Sequence, residues 1–267
     1  MSSLPRGEHM HVVRRGSGKP LLLVHGLGAT WESWELVLPA LAARREVVAI
    51  DLPGFGKTPP LAGEVSIATL ADALTQFLEQ EDLSTIDMVG SSMGARLVLE
   101  LARRGVGGNV VSLDPGGFWT DSQVRYFGTS VKASIALVRV LRPVLPLLTG
   151  NPVGRTALLA QFSRRPWALP SELVLRELRG YATFPSVDAA LHALVHGPRQ
   201  EGAPAGSLPG RVVIGWGRQD KVLLPSQAKR AMERFPGATL HWFDKCGHFP
   251  QWDQPAQTVE LILDSTG

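Results

Sequence analysis

The sequence predicts an α/β fold: a mostly parallel sheet covered by helices, with a helical block inserted late in the chain. Three observations point there. Short apolar runs alternate with amphipathic, helix-spaced stretches at both ends of the chain. Between Gly117 and Gly206 the alternation stops, and helix-like stretches rich in Leu, Val, Arg and Pro follow one another without a strand. A G-x-S-x-G pattern, Gly90 to Gly94, lies where an apolar run meets a helix-spaced stretch.

Each element has its own signal. "PLLLVHG" is a short apolar run ended by glycine, and reads as a buried strand. "WESWELVLPALAAR" has apolar residues at helical spacing. "EVVAIDLPGFG" is a second strand with a Pro/Gly loop, and "SIATLADALTQFLEQ" an amphipathic helix with Ser66 as its N-cap. "TIDMVG" is a third strand, followed by the helix "MGARLVLELARRG", which Gly105 closes. "GNVVSLDPGG" is a fourth strand. Alternation resumes with "GRVVIGWG", then "SQAKRAMERFP", "ATLHWFDKCGH" and a last helix, "DQPAQTVELILDS". The expected organisation is a core of residues 1–116 and 207–267, interrupted by a helical cap of residues 117–206. "GPRQEGAPAGSLPG" is the return linker.

Composition narrows the function classes. The chain has 267 residues, 44% of them hydrophobic, enough for one large core. Its net charge of +3 comes from 27 basic and 24 acidic residues with no basic stripe, so a nucleic-acid partner is not expected. A single cysteine, Cys246, excludes an intramolecular disulfide and a thiolate metal cluster. The N-terminal stretch "MSSLPRGEHMHVVRRG" lacks a signal peptide's apolar core. The apolar region "ASIALVRVLRPVLPLL" is interrupted by Arg139, Arg142, Pro143 and Pro146, so stable membrane insertion is not expected. These features point to a soluble, cytoplasmic protein; a homodimer is the one assembly left open.

The chemistry centres on Ser92, the middle of Gly90-Ser91-Ser92-Met93-Gly94. Flanking glycines permit a tight turn that holds the hydroxyl out in a strained conformation. A serine hydroxyl needs a base to attack a carbonyl, and the base needs an orienting acid. His248, in the glycine-containing turn "CGHFPQW", is the candidate base, and Asp220, in "GRQD" after a strand, the candidate acid. Asp114 also ends a strand and is the rival acid. Asp51 follows a strand too, but its loop reads as architectural. For a developing negative oxygen, the backbone amides of Leu27, in "HGLG", and Met93 are the candidate donors. His25 is expected to brace that loop. The other histidines fit poorly: His9 and His11 belong to the polar start, His241 to a strand. His192 and His196 share a helix face without a metal-binding motif.

Together "LLLVHGLGATWESW", "VVAIDLPGFGKTPP", "MVGSSMGARLVLELA", "GWGRQDKVLLP" and "KCGHFPQWDQP" resemble the α/β-hydrolase superfamily, in its serine-nucleophile, esterase-like branch with a helical cap. The resemblance covers most of the chain outside the cap. It implies an α/β-hydrolase fold with Ser92 as nucleophile, Asp220 as acid and His248 as base. The Leu27 and Met93 amides would form the oxyanion hole. It implies no cofactor and no metal. Haloalkane dehalogenases and epoxide hydrolases of this fold use an aspartate where Ser92 stands. The ending "GHFPQWDQP" also resembles carbon–carbon bond hydrolases of meta-cleavage products, which carry a more glycine-rich first loop and "SMGG" where this chain has "SSMGAR".

The expected reaction is therefore hydrolysis of a small-molecule carboxylic ester through an acyl-enzyme. Carbon–carbon bond hydrolysis and a non-catalytic binding protein are the alternatives. Aliphatic surface in the cap, at about 0.8 kcal/mol per buried methylene, favours a medium acyl chain over acetyl. Trp31, Trp34, Phe118, Trp119, Trp167 and Phe249 are the aromatic candidates for the cleft wall. Arg155, Arg164 and Arg165 read as a solvated cap surface, or as a carboxylate site if the carbon–carbon reading holds.

Overall fold

The computed structural model describes residues 9–267; the first eight residues of the stretch read for a signal peptide lie outside that range. Among the described residues seven strands form one sheet in the order β1-β3-β2-β4-β5-β6-β7. They are β1 (Val12–Arg15), β2 (Pro20–Val24), β3 (Glu46–Ile50), β4 (Asp87–Ser91), β5 (Val110–Leu113), β6 (Val212–Gly217) and β7 (Thr239–Phe243). Only β1 runs antiparallel, at the edge beside β3; the other pairings are parallel. This is the α/β-hydrolase fold expected, with an added strand. The sequence reading missed β1 because its four residues include the exposed Arg14 and Arg15 and carry no apolar run.

The inner strands, β2 to β6, are buried on both sides. Leu22, Val24, Val48 and Ile50 face one core, while Leu21, Leu23, Val47 and Ala49 face the other, the period-two alternation of a pleated sheet. The helices of the core are α1 (Leu38–Ala42), α2 (Ile67–Gln80) and α3 (Met93–Arg103) before the insertion. After it come α9 (Gln227–Arg234), α10 (Pro250–Asp253) and α11 (Pro255–Thr266). Ser66 caps α2 in a reciprocal box with Thr69. Gly105 follows α3 at φ +80°. The stretch 31–44 is not the single helix its spacing predicts. It makes a 3-10 turn over Trp31–Trp34, capped by Thr30, and then the five-residue α1. Pro39 in the first turn of α1 sets that start.

Between β5 and β6 stand α4 (Asp121–Leu141), α5 (Leu145–Gly150), α6 (Pro152–Leu159), α7 (Ser171–Thr183) and α8 (Val187–His196). Thr120 and Gln123 cap α4 reciprocally. Pro143 and Pro146 do break the apolar region, separating α4 from α5. Among the described residues no helix is long and apolar enough to cross a membrane.

Candidate active site

Ser92 sits between β4 and α3 at φ +57° and ψ −112°, a region that a residue with a Cβ enters only under strain. Small neighbours make the turn possible. A Cβ on Gly94 would run into the carbonyls of Val24 and His25, one on Gly90 into the backbone of Gly94 and Ala95, and one on Gly26 would meet Ser92 Cβ at 3.1 Å. Ser92 is half-buried, whereas Ser91 is buried and accepts a 3.1 Å hydrogen bond from Gln251 Nε2. The two adjacent serines thus have different surroundings, and Ser92 alone reaches the histidine.

His248 joins Ser92 to Asp220. Its Nε2 lies 2.9 Å from Ser92 Oγ and its Nδ1 2.8 Å from Asp220 Oδ2. An ionised Asp220 cannot donate, so it accepts from Nδ1–H and leaves Nε2 to accept from the serine hydroxyl. Asp220 Oδ1 is held by the amides of Val222, at 2.7 Å, and Leu223, at 3.0 Å. His248 and Asp220 are both buried, 2% exposed each, so their hydrogen bond is sheltered from water.

Asp114 lies just behind this pair. One ligand atom each of Asp114, Asp220 and His248 falls within 4.8 Å of the others. Both ring nitrogens of His248 are already engaged, so the cluster reads as a hydrogen-bonded series, not a vacant ion site. Asp114 is the rival that does not reach the ring. Its Oδ1 accepts from Gly217 N at 2.9 Å, and burial together with the Asp220 charge pushes its carboxyl well above the usual range. Two carboxylates this close would repel, and that repulsion adds to burial in favouring the neutral form of Asp114.

Near Ser92, His25 braces the loop after β2. Its Nδ1 donates to Gly26 O at 2.7 Å and its Nε2 accepts from Leu52 N at 2.9 Å; burial lowers its pKa and keeps it neutral. Leu27 lies in the turn between Gly26 and Gly28, and Met93 is the first residue of α3, where an amide has no partner within the helix. Asp51 is architectural, as read: it accepts from Trp31 N, Lys57 N and His11. Cys246 is buried, and burial raises its thiol pKa, so it does not compete as a nucleophile.

The cleft aromatics fare unevenly. Phe249, next to His248, lines a cavity of about 260 Å³ between the inserted helices and the histidine loop, with Phe162, Tyr181, Trp252 and aliphatic residues of α4 and α6. Phe118 instead packs edge-on to Phe235, and Trp119 stacks on Phe127. Trp34 is fully buried and Trp31 packs with it in the opposite core. Trp167 is 49% exposed on the insertion. These five do not line the cavity: Phe118, Trp119, Trp31 and Trp34 are claimed by the cores, and Trp167 lies on the surface of the insertion. Arg155 corrects both of its readings: it is buried, donating to the carbonyls of Thr149 and Trp167. Arg164 and Arg165 are exposed, as are His192 and His196, whose rings lie 4.5 Å apart.

Two groups escaped the sequence reading. Asp253, 1% exposed, accepts from Ser163 Oγ (2.6 Å), Arg164 N (2.8 Å), Arg165 N (3.3 Å) and Gly247 N (2.7 Å). Beside it His248 N donates to Phe162 O at 2.7 Å. The inserted segment 162–165 is thereby fastened to the loop that carries His248. The only signal was an acid inside "GHFPQWDQP", and nothing local says that its partners lie some ninety residues away. The second is Glu177, buried on α7 against the cavity.

A mostly parallel sheet of this order, with a helical insertion between β5 and β6, defines the α/β-hydrolase class. The chain belongs to the alpha/beta hydrolase family, whose model matches residues 21–261, and it is a hydrolytic enzyme of that superfamily. It is 30% identical to a dihydrolipoyllysine-residue acetyltransferase component of the acetoin cleaving system of Cupriavidus necator, over 98% of this chain and 67% of that one. It is 26% identical to a 2-hydroxymuconate semialdehyde hydrolase of Pseudomonas sp. strain CF600, over 93% of this chain and 87% of that one. Among solved structures it resembles a thermophilic esterase from Thermogutta terrifontis, with a TM-score of 0.74 and 19% identity over 96% of this chain and 92% of that one.

Proposed function

We propose that this chain cleaves a bond at a carbonyl carbon of a small, mainly apolar substrate, with Ser92 as nucleophile. The observation that carries the reading is the hydrogen-bonded series Ser92–His248–Asp220. His248 accepts the Ser92 proton as Oγ attacks the carbonyl, and Asp220 holds the ring tautomer and favours the imidazolium. The amides of Leu27 and Met93 receive the developing oxyanion. The departing group takes the proton from His248, and water activated by the same ring releases the acid from the acyl-enzyme. Residues 117–206 act as the cap that bounds the substrate space.

Carbon–carbon cleavage takes first place over the ester hydrolysis expected from the sequence. What favours it is the curated relative named as a 2-hydroxymuconate semialdehyde hydrolase, which aligns along nearly the whole chain. The esterase likeness, at 19% identity, speaks for the fold alone. In this reading the bond broken joins a ketone carbon to a carbon that leaves as an enolate, and the enolate takes the His248 proton.

Ester cleavage stands as the second reading, and one observation favours it. Among the described residues the cavity beside His248 is lined by no Arg, Lys or His, so they offer no cationic partner there to a substrate carboxylate of the dienoate kind. Turnover of a ring-opened dienoic keto acid, a neutral diketone and a p-nitrophenyl ester series, each with wild type and Ser92→Ala, decides between the two. Keto acid turnover without ester turnover selects the first. Ester rates that rise from two to about six or eight carbons select the second. Ser92→Ala with undiminished activity, or wild type left unlabelled by a fluorophosphonate, refutes both.

A further inference from the structure

The cavity beside His248 has polar residues on two sides: Ser134 and Gln161, which hydrogen-bond to each other and to Ser130, and Glu177 and Tyr181 opposite them. Most of its lining is aliphatic or aromatic, including Val131, Ile135, Leu159 and Phe162. Glu177 and Tyr181, one turn apart on α7, face the same space. Glu177 is 5% exposed and makes no hydrogen bond within the described residues; only burial and neighbouring charges act on it. Tyr181 is half-buried with its ring against Gly28, in the loop proposed to hold the oxyanion. Its hydroxyl likewise has no partner among the described residues. On the other side of Glu177 lies a cleft of about 170 Å³, bounded by Gly28, Thr30 and Phe184.

Neither group has a hydrogen-bond partner among the described residues, so both can take one from a ligand that enters the cavity. Arg176 pairs with Glu32 and Glu35, and the exposed Arg179 shares only the outer cleft with Glu177; neither makes an ion pair with Glu177 among the described residues. Burial, with Glu32 and Glu35 adding to it, pushes the Glu177 carboxyl well above the usual range, which favours its neutral O–H form. In that form two O–H donors face one mainly apolar chamber.

We propose that Glu177 and Tyr181 form a polar subsite that takes an uncharged oxygen acceptor, a ketone, ester or ether oxygen, on the part of the substrate remote from the scissile bond. The inference deepens the reading of Ser92 as nucleophile, and rests on it for the substrate's position. It selects against a substrate that carries an anion at that point, because Glu177 would leave the anion without a counter-charge.

Binding to Ser92→Ala, measured by calorimetry, tests this without turnover. The ligands are methyl esters of one chain length: unsubstituted, with a keto group at successive carbons, and with a terminal amine or carboxylate. One keto isomer is expected to bind about tenfold more tightly than the unsubstituted ester, the worth of one hydrogen bond. Glu177→Leu on the same background should abolish that difference, Tyr181→Phe should reduce it, and Glu177→Gln should retain most of it. Equal affinities, a preference that survives Glu177→Leu, tightest binding by the amine, or no binding of any member at millimolar concentration overturns the proposal. Failure of the nucleophile reading is separate: it appears as wild-type turnover that Ser92→Ala does not change.

Discussion

Replacing Asp253 by Asn should loosen the insertion from the histidine loop. The Asp253 carboxylate spends one oxygen on Ser163 Oγ and Arg165 N, and the other on Arg164 N and Gly247 N. An amide of the same shape has one accepting end, so two donors lose their acceptor and face an N–H₂ group instead. A buried donor left unpaired costs about 1–3 kcal/mol. Arg164 and Arg165 belong to an exposed stretch and recover water, whereas Ser163 and Gly247 are buried. Each carboxylate oxygen serves one buried and one exposed donor, so either orientation of the amide leaves one buried donor unpaired and the expected loss is about 1–3 kcal/mol, a substantial share of the 5–15 kcal/mol typical of a domain. Urea unfolding of wild type and Asp253→Asn, followed by far-UV circular dichroism, measures it. Because His248 N donates to Phe162 O in the same segment, kcat/KM should fall as well under conditions where the variant is fully folded. A loss below about 1 kcal/mol with unchanged kcat/KM would refute the argument that this carboxylate fastens the insertion to His248.

Three other expectations follow from the same geometry. Asp220→Asn should lower kcat by roughly 10³–10⁴, because the amide favours the wrong ring tautomer; Asp114→Asn should change it less than tenfold, and steady-state kinetics with folding checked by circular dichroism compares them. Gly94→Ala should destabilise the protein by more than about 2 kcal/mol in urea melts, since its Cβ would press on the Val24 and His25 carbonyls; wild-type stability would contradict the packing at the Ser92 turn. Glu177 has a pKa raised by burial, so the folded state binds its proton more tightly than the unfolded chain does. Its contribution to stability is fully present below the unfolded carboxylate pKa, near 4, and is lost as pH rises toward the folded value. Glu177→Gln should then raise the melting temperature at pH 8 but not at pH 4, and an equal gain at both would contradict a carboxyl whose neutral form the fold favours.

Local chemistry made much of this protein legible from its residues. The strand and helix alternation, the Ser66 cap, the Gly105 stop and the helical insertion each follow from periodicity or turn chemistry within a few residues. The Ser92 turn was legible too, because glycines on both sides of a serine between a strand and a helix leave few alternatives. The edge strand β1 escaped because four half-exposed residues carry little periodicity.

The choices made across long separations belonged to the tertiary structure. Asp220 and Asp114 end neighbouring strands with similar local sequence, and only the approach of the His248 loop, 28 residues beyond Asp220, puts one against the ring and the other behind it. Asp253 finds its partners about ninety residues away. Four tryptophans and Phe118 went to the cores or the surface of the insertion while Phe249 reached the cavity, because burial depends on which faces meet, and no window of sequence contains both faces. Glu177 is the clearest case: an acid on an amphipathic helix looks like a solvated residue until the helix is docked with that side inward.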